Sequence, residues 1–174
     1  MAWPPPVSSI AVALLVTAAT GWDLRTRRVP NALTLGGAVA GLVVKGVSEG
    51  WLGVLSSAAG WAVGAALLFP LFALGGMGAG DVKLLAAVGV WLGPVGALWT
   101  GLYAALAGGV LALLVALTKG YTGTALRNVG AMLKLWSTVG VQPVDGLTLT
   151  DKTSIRLPYA LPIAIGALLA VWTA

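Results

Sequence analysis

The stretch "LLFPLFALGGMGAGDVKLLAAVGVWLGP" (67–94) decides how this chain folds. An apolar run containing Pro70 ends in a glycine-rich loop, Asp81 and Lys83 follow, and a short apolar run stops at Gly93 and Pro94. Glycine loops and charges are ordinary at a soluble surface. Within lipid, a carboxylate is costly and marks a functional site by default. The first question is therefore which solvent surrounds this stretch.

Composition answers it. Of the 174 residues, 59% are hydrophobic and only 9% charged, with a mean hydropathy of +0.97. A soluble domain carries about a quarter charged residues. The length fits one domain, and the apolar content far exceeds what one small core needs. The reading is an all-α integral membrane protein, with residues 1–174 forming a single membrane-embedded domain. The chain has no cysteine and no histidine. Disulfides, thiolate or histidine metal sites, cysteine nucleophiles and histidine-based triads are excluded, and neither a metal nor a cofactor is expected. The formal charge of +5 fits basic loops that orient a membrane protein. No aromatic-basic interleaving points to nucleic acid, so the expected surroundings include a lipid bilayer and no nucleic-acid partner. The apolar run in "MAWPPPVSSIAVALLVTAATGWD" (1–23) has no basic residue before it, unlike a secretory signal. It reads as a retained spanning helix.

A spanning helix needs about 17–25 apolar residues. Six candidates run over about 6–21, 32–47, 51–74 (with Pro70 as an expected kink), 81–93, 95–117 and 158–172. Arg25, Arg27 and Arg28 lie between the first two, and Lys119, Arg127, Lys134, Lys152 and Arg156 lie in or beside 119–156. Lys and Arg gather on the cytoplasmic side, which predicts six spans with both termini outside. The fourth helix has only about 11 residues after Asp81, roughly 16 Å. A ~30 Å hydrocarbon core is thicker, so neighbours must shield this helix or the bilayer must thin. GxxxG spacing at 37–41, 60–64 and 89–93 predicts close helix contact without choosing partners. Within the cytoplasmic loop 119–156, Leu126, Val129, Leu133 and Trp136 fall near one helical face, predicting an amphipathic helix on the membrane surface.

This topology places Asp23, at the end of the first helix, and Asp81, at the start of the fourth, at one cytoplasmic depth. Glu49, Asp145 and Asp151 fall in expected loops and read as solvated charges. Each aspartate also has a structural reading: Asp81 as a helix cap, Asp23 as a partner of the nearby arginines. Together they offer more. Like charges resist ionising together, so two carboxylates can share a proton. One then takes a proton from water while the other polarises a peptide carbonyl. Peptide hydrolysis by this route needs neither histidine, cysteine nor metal. Glycines 78 and 80 would let a substrate strand lie close to the loop. Asp81 begins a helix and Asp23 ends one, so the helix dipoles make Asp81 the expected base and Asp23 the expected proton holder.

Here the residues carry a resemblance. "GAGD" (78–81) matches GxGD and is followed by Lys83; "GWDLRTRRVPN" (21–31) joins Asp23 through basic residues to Pro30 and Asn31; "RLPYALPIAIG" (156–166) opens the last apolar run. With this order the chain resembles the type IV prepilin peptidases, membrane aspartic proteases with a GxGD fold. The resemblance implies that Asp23 and Asp81 are the catalytic pair. It also implies a prepilin substrate, cut after a leader glycine at the cytoplasmic boundary of the bacterial inner membrane. Larger members carry a cysteine zinc segment and N-methylate the new terminus. This chain lacks both cysteine and the room, and looks like the short form linked to tight-adherence (Flp) pili, without methyltransferase activity. Gly78 and Gly80 are motif positions with a backbone role, Lys83 is expected to steady the loop, and Asn31 to cap the second helix after Pro30. Arg25, Arg27 and Arg28 read as orientation and headgroup contacts. Three other readings stay open: another GxGD protease resembling presenilin or signal peptide peptidase, a small ion-coupled transporter, and a structural subunit.

Overall fold

The computed structural model describes residues 5–140 and 158–173. Five helices follow one another: α1 (Pro6–Thr26), α2 (Asn31–Ala73), α3 (Ala79–Thr118), α4 (Thr122–Val139) and α5 (Ala160–Thr173). There is no strand among the described residues. α1, α2 and α3 are each long and apolar enough to cross a membrane, whereas α5 has 14 residues. Large apolar side chains such as Leu14, Val47, Leu52 and Leu106 are mostly exposed. That is the surface of a membrane protein, whose outside is as apolar as its core.

α2 and α3 are each two antiparallel limbs. Gly50 (φ 63°, ψ −147°) breaks α2 and Gly93 (φ 74°, ψ −178°) breaks α3. Residues eight apart in a straight helix lie about 12 Å from each other. Here a Cβ on Gly53 would overlap the carbonyl of Lys45, and one on Gly89 would lie 3.2 Å from Ala97 Cβ. The chain therefore doubles back at both glycines, whose positive φ other residues rarely adopt. These breaks stand where the sequence placed the ends of its second and fourth apolar segments. Pro70 remains inside α2, close to its end, and the non-helical dihedrals of that helix are at Gly50.

The first limb of α3 is the centre of the bundle. From Val82 to Gly93 nearly every residue is buried, Lys83 and Leu92 excepted. Its neighbours shield it, which resolves how so short a helix can be apolar throughout. α2 packs on it through glycine: Gly41 sits against Val90 and Trp91, Gly64 against Leu85, and Gly60 directly against Gly89. Trp91 Nε1 donates to the Gly37 carbonyl at 3.0 Å, and Ser57 Oγ to Val90 O at 3.0 Å. On the other side α5 packs against both α1 and α3. Val12, Leu15, Val16 and Ala19 of α1 join Leu84, Leu85 and Val88 of α3 and Ile163 and Ala167 of α5 in one buried cluster.

α4 lies within 119–156, the segment read from the sequence as a loop carrying an amphipathic helix. It touches the rest of the described chain through α3, and Leu126 and Val129 are exposed. The side chains of Leu133 and Trp136, and all of 141–157 with Asp145 and Asp151, lie outside the described residues. Glu49 is not in a loop. It ends the first limb of α2, 3.6 Å from Lys45.

Candidate active site

α1 ends where α3 and α5 begin, and the two aspartates meet at that corner. Asp23 and Asp81 line one pocket of about 280 Å³ with Arg27, Arg28, Val29 and the Gly78–Gly80 loop. They are near enough for the charge of Asp23 to act on Asp81. In the sequence the two limbs of α2 separate them. The bundle brings them together.

The glycine loop explains how Asp81 is aimed. α3 has Gly78 as its N-cap, so Asp81 is the third helical residue and not the cap. Its backbone N–H donates to Gly78 O at 3.1 Å, and its carboxylate accepts a backbone hydrogen bond from Gly78. This is the acid half of a capping box. A Cβ on Gly78 would stand 3.3 Å from Asp81 Oδ2, and one on Gly80 3.2 Å from Val29 Cβ. The first glycine lets the carboxylate fold back, and the second lets the segment after α1 press against the loop.

Asp23 is held differently. It is only 6% exposed, and Oδ2 has no hydrogen-bond partner. The carboxylate accepts a backbone hydrogen bond from Ala160 and feels the charge of Arg27. Ala160 is the first residue of α5, and its carbonyl accepts from Thr20 Oγ1 at 3.2 Å. Both backbone groups of Ala160 thus tie α5 to α1. The expected contrast between the aspartates is therefore weaker than chain order implied. Asp23 ends α1, but it also faces the N-terminus of α5, where a dipole favours negative charge.

Arg27 closes α1 in the left-handed region (φ 56°), its N–H donating to Asp23 O at 2.8 Å. Such a conformation is uncommon for a residue with a Cβ, and it turns the chain toward Val29. Arg27 and Arg28 line the aspartate pocket, which the orientation reading of these residues had missed. The sequence signal was their distance of four and five positions from Asp23.

Asn31 does not cap α2. Pro30 holds the cap position with extended dihedrals, and no side chain completes the cap. Asn31 is already helical, and its Oδ1 accepts from Lys83 Nζ at 2.9 Å. Lys83 therefore joins the start of α3 to the start of α2 and does not pair with Asp81. The part played by Ala160 was not anticipated either. Its signal lay in "PYALP" (158–162) at the start of the last apolar run.

The fold and pocket define an all-helical membrane protein with two carboxylates converging at a helix corner. Residues 10–113, well over half of the chain and including both aspartates, match the type IV leader peptidase family. The chain belongs to that family and is a peptidase by membership. Comparison with curated proteins and with solved structures gave no match.

Proposed function

We propose that this protein is an aspartic endopeptidase that removes the leader peptide of Flp-type prepilins at the cytoplasmic boundary of the inner membrane. The observation that carries this reading is the single pocket shared by Asp23 and Asp81. The two limbs of α2 and of α3, with α1 and α5, make the six spans of this reading, with both termini outside. The arginines beside Asp23 then face the cytoplasm. The amphipathic α4 rests on the membrane surface on the same side.

In the mechanism the pair shares one proton. Asp81, which lines the pocket beside the glycine loop, takes a proton from a water molecule. The resulting hydroxide attacks the scissile carbonyl. Asp23 holds the shared proton on its buried carboxyl and donates it toward the carbonyl oxygen as negative charge develops there. Collapse of the tetrahedral intermediate breaks the C–N bond, the proton taken up by Asp81 passes to the leaving amine, and the hydroxyl proton given to the carbonyl oxygen returns to Asp23. Leader acid and pilin amine are the products, and the carboxylates return to one proton between them. No cofactor enters this scheme, and the new terminus stays unmethylated.

The test is cleavage of a co-expressed Flp-type prepilin, read by mass and by the new N-terminus. Wild type should cut after the leader glycine, and Asp23→Asn and Asp81→Asn should insert in the membrane without cutting. Normal cleavage by either variant would refute the dyad and raise the ion-site alternative.

A further inference from the structure

Tyr159 lines an apolar groove separate from the aspartate pocket. It lies near enough to Asp81 for the two groups to interact electrostatically. The groove measures about 590 Å³, with Leu67, Leu71, Val95, Leu98, Leu102 and Ala105 among the walls. Its ring is seated on Gly108, where a Cβ would meet the ring at 2.9 Å and the hydroxyl at 3.1 Å. Among the described residues the hydroxyl has no hydrogen-bond partner, so the polar end of this side chain serves no structural bond.

The register of the α3 hairpin shows where the groove begins. A Cβ on Gly89 would touch Ala97, and one on Gly101 would lie 3.7 Å from Leu85. Moving four residues further along each limb puts Ala105 at the height of Asp81. The groove therefore starts level with the catalytic carboxylate and runs toward the turn at Gly93. Ala105 to Val95 covers about 15 Å of helix rise, enough for roughly three turns of a bound helix. Its apolar walls suit an aliphatic helix and not a charged leader.

We propose that Tyr159 is a positioning residue. Its ring ends the groove that seats the start of the substrate's hydrophobic segment, and its free hydroxyl donates to a substrate backbone carbonyl beside the scissile bond. This inference rests on the prepilin reading above and adds to it. The leader side of the substrate lies over the Arg27–Val29 and glycine-loop walls. The hydrophobic side turns at Tyr159 and descends along Leu102 and Leu98. One residue thereby links recognition of an apolar helix to placement of the bond at the carboxylates. Distance from Tyr159 to the groove floor would then set how many residues separate the cut from the helix.

The test uses the full chain in detergent or nanodiscs, a prepilin, and a shorter peptide of the same sequence that keeps the scissile bond and the residues next to it but lacks the rest of the hydrophobic segment. Tyr159→Phe keeps the ring on Gly108 and removes only the hydroxyl. It should lower kcat/KM about tenfold on both substrates, the size of one lost hydrogen bond to a bound substrate. Ala105→Trp fills the groove from its exposed side. It should raise KM about tenfold for the prepilin and leave the truncated peptide unchanged, a split that general misfolding cannot produce. Wild-type rates in Tyr159→Phe, or equal losses on both substrates in Ala105→Trp, would overturn the inference while the peptidase reading stands. Failure of wild type to cut any prepilin would overturn the peptidase reading, and the inference with it.

Discussion

Gly60 of α2 and Gly89 of α3 meet backbone to backbone: a Cβ on either would overlap the carbonyl oxygen of the other. No side chain separates the two helices there. This contact sets how closely α2 approaches the limb that carries Asp81. Within lipid, where burial of apolar surface gives no preference for one helix neighbour, such close packing is the main source of helix association. Gly60→Leu or Gly89→Leu should therefore destabilise the bundle by at least the ~1–3 kcal/mol typical of overpacking. Thermal unfolding in detergent reads the effect. Gly21→Ala and Gly109→Ala, where a Cβ meets nothing within 4 Å, are the matched controls and should leave the midpoint unchanged.

The carboxylates should be unequal in tolerance to structure but equal in catalysis. Asp23→Asn and Asp81→Asn should each lower prepilin cleavage by about 100-fold or more, the usual contribution of general acid–base groups. Because Asp23 Oδ2 is buried without a partner, Asp23→Asn places an amide or its oxygen in the same closed site at little cost to folding. Asp81→Asn weakens the acceptor for the Gly78 N–H, and loosens the loop. Cleavage by mass and unfolding midpoint, measured on the same preparations, separate the two effects.

Lys83 and Asn31 form a bridge that the activity should register as one unit. Lys83→Met and Asn31→Ala should each reduce kcat/KM by about threefold to tenfold, within the range of a charged hydrogen bond at a partly solvated surface. The double variant should be no worse than the single ones, since both remove the same contact. Additive losses would mean that the residues act separately.

The approach of Val29 to Gly80 gives a graded prediction. Gly80→Ala introduces a Cβ 3.2 Å from Val29 Cβ, a displacement of a few tenths of an ångström. Gly80→Leu demands more. Activity should fall modestly for alanine and at least tenfold for leucine, as misplacement of a reacting group by about an ångström costs on the order of 100-fold. Intrinsic tryptophan fluorescence and the unfolding midpoint should change little, because this contact lies at the rim of the bundle. A large stability loss without a graded activity loss would contradict the geometry.

Residue types decided much of the fold before any tertiary contact. The apolar composition named lipid as the solvent, and "LGP" (92–94) marked a break that the structure places at Gly93. The charge-poor core made Asp23 and Asp81 conspicuous. All of these follow from local chemistry: periodicity, backbone freedom and the cost of charge act on a few neighbouring residues. Which glycines meet, that Ala160 holds Asp23, that Lys83 reaches Asn31 and that Tyr159 lines an apolar groove near Asp81 were settled only by the bundle. Twenty-five glycines offer many near-equivalent close contacts. Only the register of distant helices against one another selects Gly60 with Gly89. The same register turns an arginine read as a membrane anchor into a wall of the aspartate pocket.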